Sequence, residues 1–134
     1  MSVPHQVRAL HHVQICCPEG GEPQVRHFYA GFLGLHEVDK PSQLAQRGGV
    51  WFRGAGYELH IGVAVPFSPA PKAHPAFLVD GVDALAARLE AAGCPTVWDS
   101  NFPGYRRFHT FDPHGNRVEI LGSPSVLESV DEPD

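Results

Sequence analysis

The chemistry open to this chain is concentrated in four side chains whose types and positions match in pairs. His12 and His74 each open a short apolar stretch, and His60 and Glu119 each follow a glycine by four positions, in Gly56-Tyr-Glu-Leu-His60-Ile-Gly and Gly115-Asn-Arg-Val-Glu119-Ile-Leu. His12 precedes His60 by nearly the same span as His74 precedes Glu119. A duplicated unit related by a pseudo-two-fold axis would bring four such positions together. Imidazole and carboxylate donors suit a divalent Zn, Ni, Fe, Co or Mn ion rather than Ca. Carried on strands, they leave positions open to water or substrate, which is what separates a catalytic from a structural metal site.

Strand alternation tests the grouping independently, because successive side chains point to opposite faces. His12 shares a face with Gln14 and Cys16, and Glu58 shares one with His60. His74 goes with Ala76 and Leu78, and Glu119 with Arg117 and Leu121. The opposite faces are mostly apolar and are expected to pack under helices. The same sorting selects His12 over His11, which falls on the side of Val13 and Ile15. Three imidazoles and a carboxylate buried together without a cation would carry unsatisfied or repelling groups. The chain has nine histidines, and His5, His27, His36, His109 and His114 are read as ordinary core or surface residues.

The elements that must position these residues occur twice in the same order. Residues 8–17 read as a strand. A helix opens at Pro23, with Val25, Phe28, Tyr29 and Phe32 at three- and four-residue spacing and Gly34 as its stop. Three short strands follow, near residues 35–38, 49–53 and 57–63. After a proline-rich connector the pattern returns: a strand over 74–79, a helix over 83–92 stopped by Gly93, and strands near 96–98, 105–111 and 116–121. Each half thus reads strand, helix, three strands, an α+β pattern. Module one spans residues 8–63, the linker 64–73 and module two 74–122, making a single domain of 1–122. The acidic stretch 123–134 is expected to fray.

Around the four candidate ligands, Glu58 lies two residues before His60 on the same face, where it could hold a ligand by a hydrogen bond or act as a base. Arg107, on the predicted 105–111 strand, is a candidate clamp for a substrate anion such as a carboxylate. Trp51, on the strand facing that site, could wall a cavity. Arg107 has a competing reading as a solvated edge residue and Trp51 as a core aromatic. Cys16 is read as packing, and Cys94 receives no role.

Composition narrows the function classes. Hydrophobic residues at 43% and charged residues at 19% are ordinary for a globular domain. The net charge is −5 and no basic run exceeds the pair Arg106–Arg107, whereas a nucleic-acid surface needs a basic stripe. No segment approaches the roughly 18 apolar residues of a membrane helix, and the first residues do not resemble a signal peptide. Three cysteines, two of them adjacent, do not form a secreted disulfide framework. The expected setting is cytoplasmic, with a small-molecule substrate and neither nucleic acid nor membrane as partner.

The strings Leu10-His-His-Val, Phe28-Tyr-Ala-Gly-Phe-Leu-Gly-Leu, Glu58-Leu-His-Ile, Ala73-His-Pro-Ala-Phe-Leu-Val-Asp and Phe111-Asp-Pro-His-Gly-Asn-Arg-Val-Glu resemble the vicinal oxygen chelate superfamily over almost the whole chain. This superfamily includes glyoxalases, fosfomycin and bleomycin resistance proteins and extradiol dioxygenases. The resemblance implies paired βαβββ modules curling into a cup-like mixed sheet around a divalent metal, with helices outside, often in a homodimer. It implies ligands at His12, His74 and Glu119. Glyoxalase I adds a fourth ligand, usually Glu, where this chain has His60. The implied reaction is that of a metal-dependent lyase, isomerase or transferase. In it the metal chelates a small oxygenated substrate and Glu119 or Glu58 moves a proton. Two other functions of the superfamily compete with this one: small-molecule sequestration in antibiotic resistance, and ring cleavage by oxygen.

Overall fold

The computed structural model describes residues 3–122, so the acidic stretch 123–134 lies outside the described residues. Two four-stranded mixed sheets are built from successive halves of the chain. The first contains β1 (His12–Cys17), β2 (His36–Val38), β3 (Val50–Gly54) and β4 (Tyr57–Val63), in the order β1-β4-β3-β2. The second contains β5 (Ala76–Val79), β6 (Val97–Asp99), β7 (Arg106–Phe111) and β8 (Arg117–Gly122), in the order β5-β8-β7-β6. In each, the first strand runs parallel to the last and the remaining pairs are antiparallel. The fold is α+β, and the second sheet repeats the topology of the first.

The helices lie where the apolar periodicity predicts, with one local difference. The first helix, α1 (Glu22–Val25), starts with a proline in its first turn and continues as a π-helical run over Arg26–Phe32. There Leu33 N–H donates to the Phe28 carbonyl, five residues back. Three- and four-residue spacing of apolar side chains does not separate the two windings, because both bury Val25, Phe28 and Tyr29. The second helix, α2 (Val82–Ala91), buries Val82, Ala86 and Leu89. It ends in a Schellman arrangement, with Cys94 N–H donating to Leu89 O and Gly93 N–H to Glu90 O, Gly93 standing at φ 83°. Observed strands agree with the expected ones to within a residue or two, except that β1 begins at His12 and β5 at Ala76. His74 therefore sits just before its strand.

A continuous core joins both halves: Val50, Phe52, Leu59 and Ile61 from the first sheet, Phe108, Val118 and Ile120 from the second, and the buried faces of the helices. Polar bonds also cross between the halves. Asp112, in the β7–β8 turn, accepts the Tyr29 hydroxyl at 2.7 Å. The same carboxylate accepts from the Asn116 amide at 2.9 Å and from the backbone N–H groups of His114 and Asn116. Asn116 Nδ2 donates in turn to the Cys16 carbonyl at 2.7 Å. The Asp-Pro-His-Gly-Asn segment thereby fixes the start of β8, and with it Glu119, against module one.

Candidate metal centre

Sheet register decides which side chains meet. In module two, Glu119 on β8 faces Ala76 on β5 and His109 on β7. His109 and Arg107 share its face, and His74 enters it from just ahead of β5. The Glu119 carboxylate is the hub. Its Oε1 lies 2.8 Å from His74 Nε2 and 3.7 Å from His109 Nε2, and its Oε2 accepts from Arg107 Nη1 at 2.9 Å. Arg107 Nη2 donates to Asp99 Oδ2 at 2.9 Å, on neighbouring β6. Glu119 and His109 are buried, at 6% and 7% exposure. Among the described residues, His74, His109 and Glu119 are the three whose ligand atoms all lie within 4.8 Å of one another.

The donor pattern of this group fits a cation. His74 Nδ1 lies 2.6 Å from the Lys72 carbonyl, which can only accept, so Nδ1 carries the proton. His74 Nε2 and Glu119 Oε1, 2.8 Å apart, either share a proton or turn together toward a cation. A backbone carbonyl holding the far nitrogen is the usual support of a metal-binding histidine. Burial pushes the His109 imidazole below its ordinary range, assisted by the Arg117 charge, so this ring is neutral and a donor to metals at pH 7. Burial alone would raise the Glu119 carboxyl, but hydrogen bonds from His74 and Arg107 outweigh it and hold the group below its ordinary value.

Module one presents a different surface at the corresponding places. His60 pairs across β3–β4 with Trp51, and the indole stacks on its ring at 3.7 Å with a 3° tilt. His12, from β1 on the other flank, stacks on His60 at 4.1 Å and 15°. His60 Nε2 donates to Glu58 Oε1 at 2.8 Å, and Arg53 Nε donates to Glu58 Oε2 at 2.9 Å. Those two bonds, His60 first, hold the Glu58 carboxyl below its usual range. His11 Nδ1 approaches His12 Nδ1 at 3.0 Å.

The four sequence-selected ligands therefore form two contacting pairs, His74 with Glu119 and His12 with His60. His12 and His74 line a common cleft of about 720 Å³ between β1 and β5, together with Tyr57, Glu58 and Leu78. Trp51 is half-buried in the ring stack, and Arg107 is tied to two carboxylates rather than standing free at a sheet edge. Sequence reasoning set His109 aside and did not single out Asp99. Alternation puts His109 on the face of Arg107, two residues along the same strand, but only the β7–β8 register sets it opposite Glu119.

The sequence model of the Glyoxalase/Bleomycin resistance protein/Dioxygenase superfamily matches residues 9–120. The chain belongs to that superfamily. Among curated proteins, none matches the chain. Among solved structures, a glyoxalase family protein from Bacillus anthracis is 38% identical with a TM-score of 0.85, the similarity covering 90% of this chain and 99% of that one. FosX, a fosfomycin resistance protein from Listeria monocytogenes, is 16% identical, with a TM-score of 0.70 and coverage of 88% and 95%. TnmS3, an antibiotic binding protein from Streptomyces sp. CB03234, is 21% identical, with a TM-score of 0.70 and coverage of 89% and 98%. These last two bear on the fold alone. No helix among the described residues is long and apolar enough to cross a membrane.

Proposed function

We propose that this protein is a divalent-metal-dependent enzyme of the glyoxalase type, a lyase, isomerase or transferase acting on a small oxygenated substrate. The observation that carries this reading is the His74–Glu119 pair, with the outer nitrogen of His74 held by a backbone carbonyl and its inner nitrogen aimed at a buried carboxylate. His74 and Glu119 anchor the ion, and His12 and His60 supply further ligands from module one. Zn, Ni, Fe, Mn and Co all suit this donor set. A bound ion of this kind supplies Lewis-acid polarisation of a substrate oxygen, or lowers the pKa of water toward ~7.

The remaining roles fall to residues around that centre. Glu58, ionised between His60 and Arg53, accepts a proton from substrate, and Glu119 serves as the alternative acceptor when one of its oxygens is free. Positioned acid–base groups contribute about 10²–10⁴ in rate. Trp51 walls the site with its stacked ring. Arg107, with both Nη groups engaged, acts on a substrate anion chiefly through its charge. The working form is a cytoplasmic homodimer.

The test is to strip the protein of metal and reload it with Ni, Mn, Zn or ferrous iron. Each form is then assayed with methylglyoxal–thiol adducts, fosfomycin and, for oxygen uptake, catechol. Metal-dependent turnover of an adduct or of fosfomycin supports the reading. Tight binding without turnover would instead assign the chain to small-molecule sequestration, and oxygen uptake to ring cleavage. If His74→Ala keeps the full metal stoichiometry and affinity, the metal centre itself is wrongly placed.

A further inference from the structure

We propose that His109 is a metal ligand, so that module two alone offers a three-point site of His74, His109 and Glu119. The inference rests on the metal-binding reading above and adds a residue to it. It follows first from size. Ligand atoms about 2.0–2.2 Å from one ion stand roughly 3.0–3.5 Å apart. The Glu119 Oε1 contacts to the two Nε2 atoms, 2.8 and 3.7 Å, bracket that separation. The imidazole rings meet edge to face at 5.5 Å and 79°, so their nitrogens converge while their planes do not collide.

Hydrogen bonding leads to the same assignment. His109 is buried, and its Nε2 stands 3.7 Å from Glu119 Oε1, too far for a direct hydrogen bond but within reach of a shared ion. Arg107 fixes Oε2 and leaves Oε1 to the two imidazoles. The backbone enforces the arrangement, since His109 and Glu119 are directly opposed in the β7–β8 ladder. Module one has the same ladder with Trp51 opposite His60. The place that carries a nitrogen ligand in module two there carries an indole, whose N–H only donates. Two imidazoles and a carboxylate from adjacent strands select a transition ion over Mg or Ca and leave several positions open.

The experiment is Co²⁺ binding to the metal-free full chain, followed by calorimetry and by the visible absorption of the bound ion. His109→Ala and His109→Phe are compared with His74→Ala. Phenylalanine fills the buried volume without offering a ligand atom, so a folding defect in the alanine variant does not obscure the result. Both His109 variants are expected to weaken Co²⁺ binding by 10²-fold or more and to change the absorption band, with His109→Phe melting near the wild-type temperature in the absence of metal. Co²⁺ affinity within threefold of wild type and an unchanged band in His109→Phe, with binding lost in His74→Ala, would overturn the assignment of His109 and leave the metal centre standing. Wild-type binding in His74→Ala as well would overturn both. Lost turnover with unaltered Co²⁺ binding in His109→Phe would also refute it, placing His109 in proton transfer instead.

Discussion

Tyr29→Phe removes one oxygen from a fully buried ring and with it the bond that ties the first helix to Asp112. The shape of the side chain is kept, so the loss is that of the hydrogen bond. A bond from a hydroxyl to a buried carboxylate is worth about 1.5–3 kcal/mol, and Asp112 retains its bonds from Asn116 and His114. At pH 7 the variant should therefore be about 2 kcal/mol less stable in urea titration, or melt roughly 5–10 °C lower for a chain of this size. The pH dependence identifies the cause. Burial first, and then the Asp112 charge, raise the Tyr29 phenol well above its ordinary value near 10. A group raised in the folded state contributes stability that is complete below its unfolded pKa and is lost as pH climbs beyond it. Above pH ~10 the wild type should lose about 1.4 kcal/mol per pH unit relative to Tyr29→Phe, and the gap between them should close. Tyr57 and Tyr105 are present in both proteins and cancel. Equal stability at pH 7, or a gap that stays constant from pH 7 to 11, would refute the reasoning.

Two further outcomes follow from the site and its surroundings. Arg107 bridges two carboxylates with separate Nη groups, so Arg107→Ala should lower the denaturant midpoint by removing the guanidinium partner of both Glu119 and Asp99. Arg107→Lys should recover less than half of that, since an ammonium cannot span both partners; full recovery would show that only the charge matters. Cys17 is fully buried, and that burial, with the nearby Glu22 charge, pushes its thiol up to about 11. At pH 8 only about one molecule in a thousand carries the thiolate, so a chromogenic disulfide should leave one of the three thiols unreacted until guanidinium is added. Reaction of all three thiols in the native protein at one rate would contradict this burial.

Much of the fold was legible because it is written in local periodicity. The alternation of Val13 and Ile15 against His12 and Gln14, or of Val118 and Ile120 against Glu119, assigns faces without knowledge of the partner strand. Gly34 and Gly93 mark helix ends by the same local logic, and the Gly56-to-His60 and Gly115-to-Glu119 match reveals the repeat. What stayed hidden depends on register and on long-range pairing. His109 is one histidine among nine until β7 is laid against β8, and only then does it face Glu119. Asp99 becomes relevant only because β6 pairs with β7 and sets it opposite Arg107. The Tyr29–Asp112 bond joins residues of different modules, and no pattern within either one announces it.

Duplication explains the scaffold but not the division of labour within it. The two sheets place a residue at or just before the first strand, one of the last strand and one of the third on a common face. In module two those places hold His74, Glu119 and His109, two imidazoles gathered at one carboxylate. In module one they hold His12, His60 and Trp51, three rings stacked in sequence, with His60 further tied to Glu58. Withdrawing His60 from that stack gives up one or two aromatic contacts of about 0.5–1.5 kcal/mol each, together with a hydrogen bond. His74 and His109 meet only edge to face at 5.5 Å, a contact they keep when both nitrogens turn to one cation. The same backbone geometry thus makes the module-two group the readier ion binder. Of the module-one face, the stacked Trp51 ring is the part matched to the flat or apolar portion of a small molecule, while His12 lines the same cleft as His74.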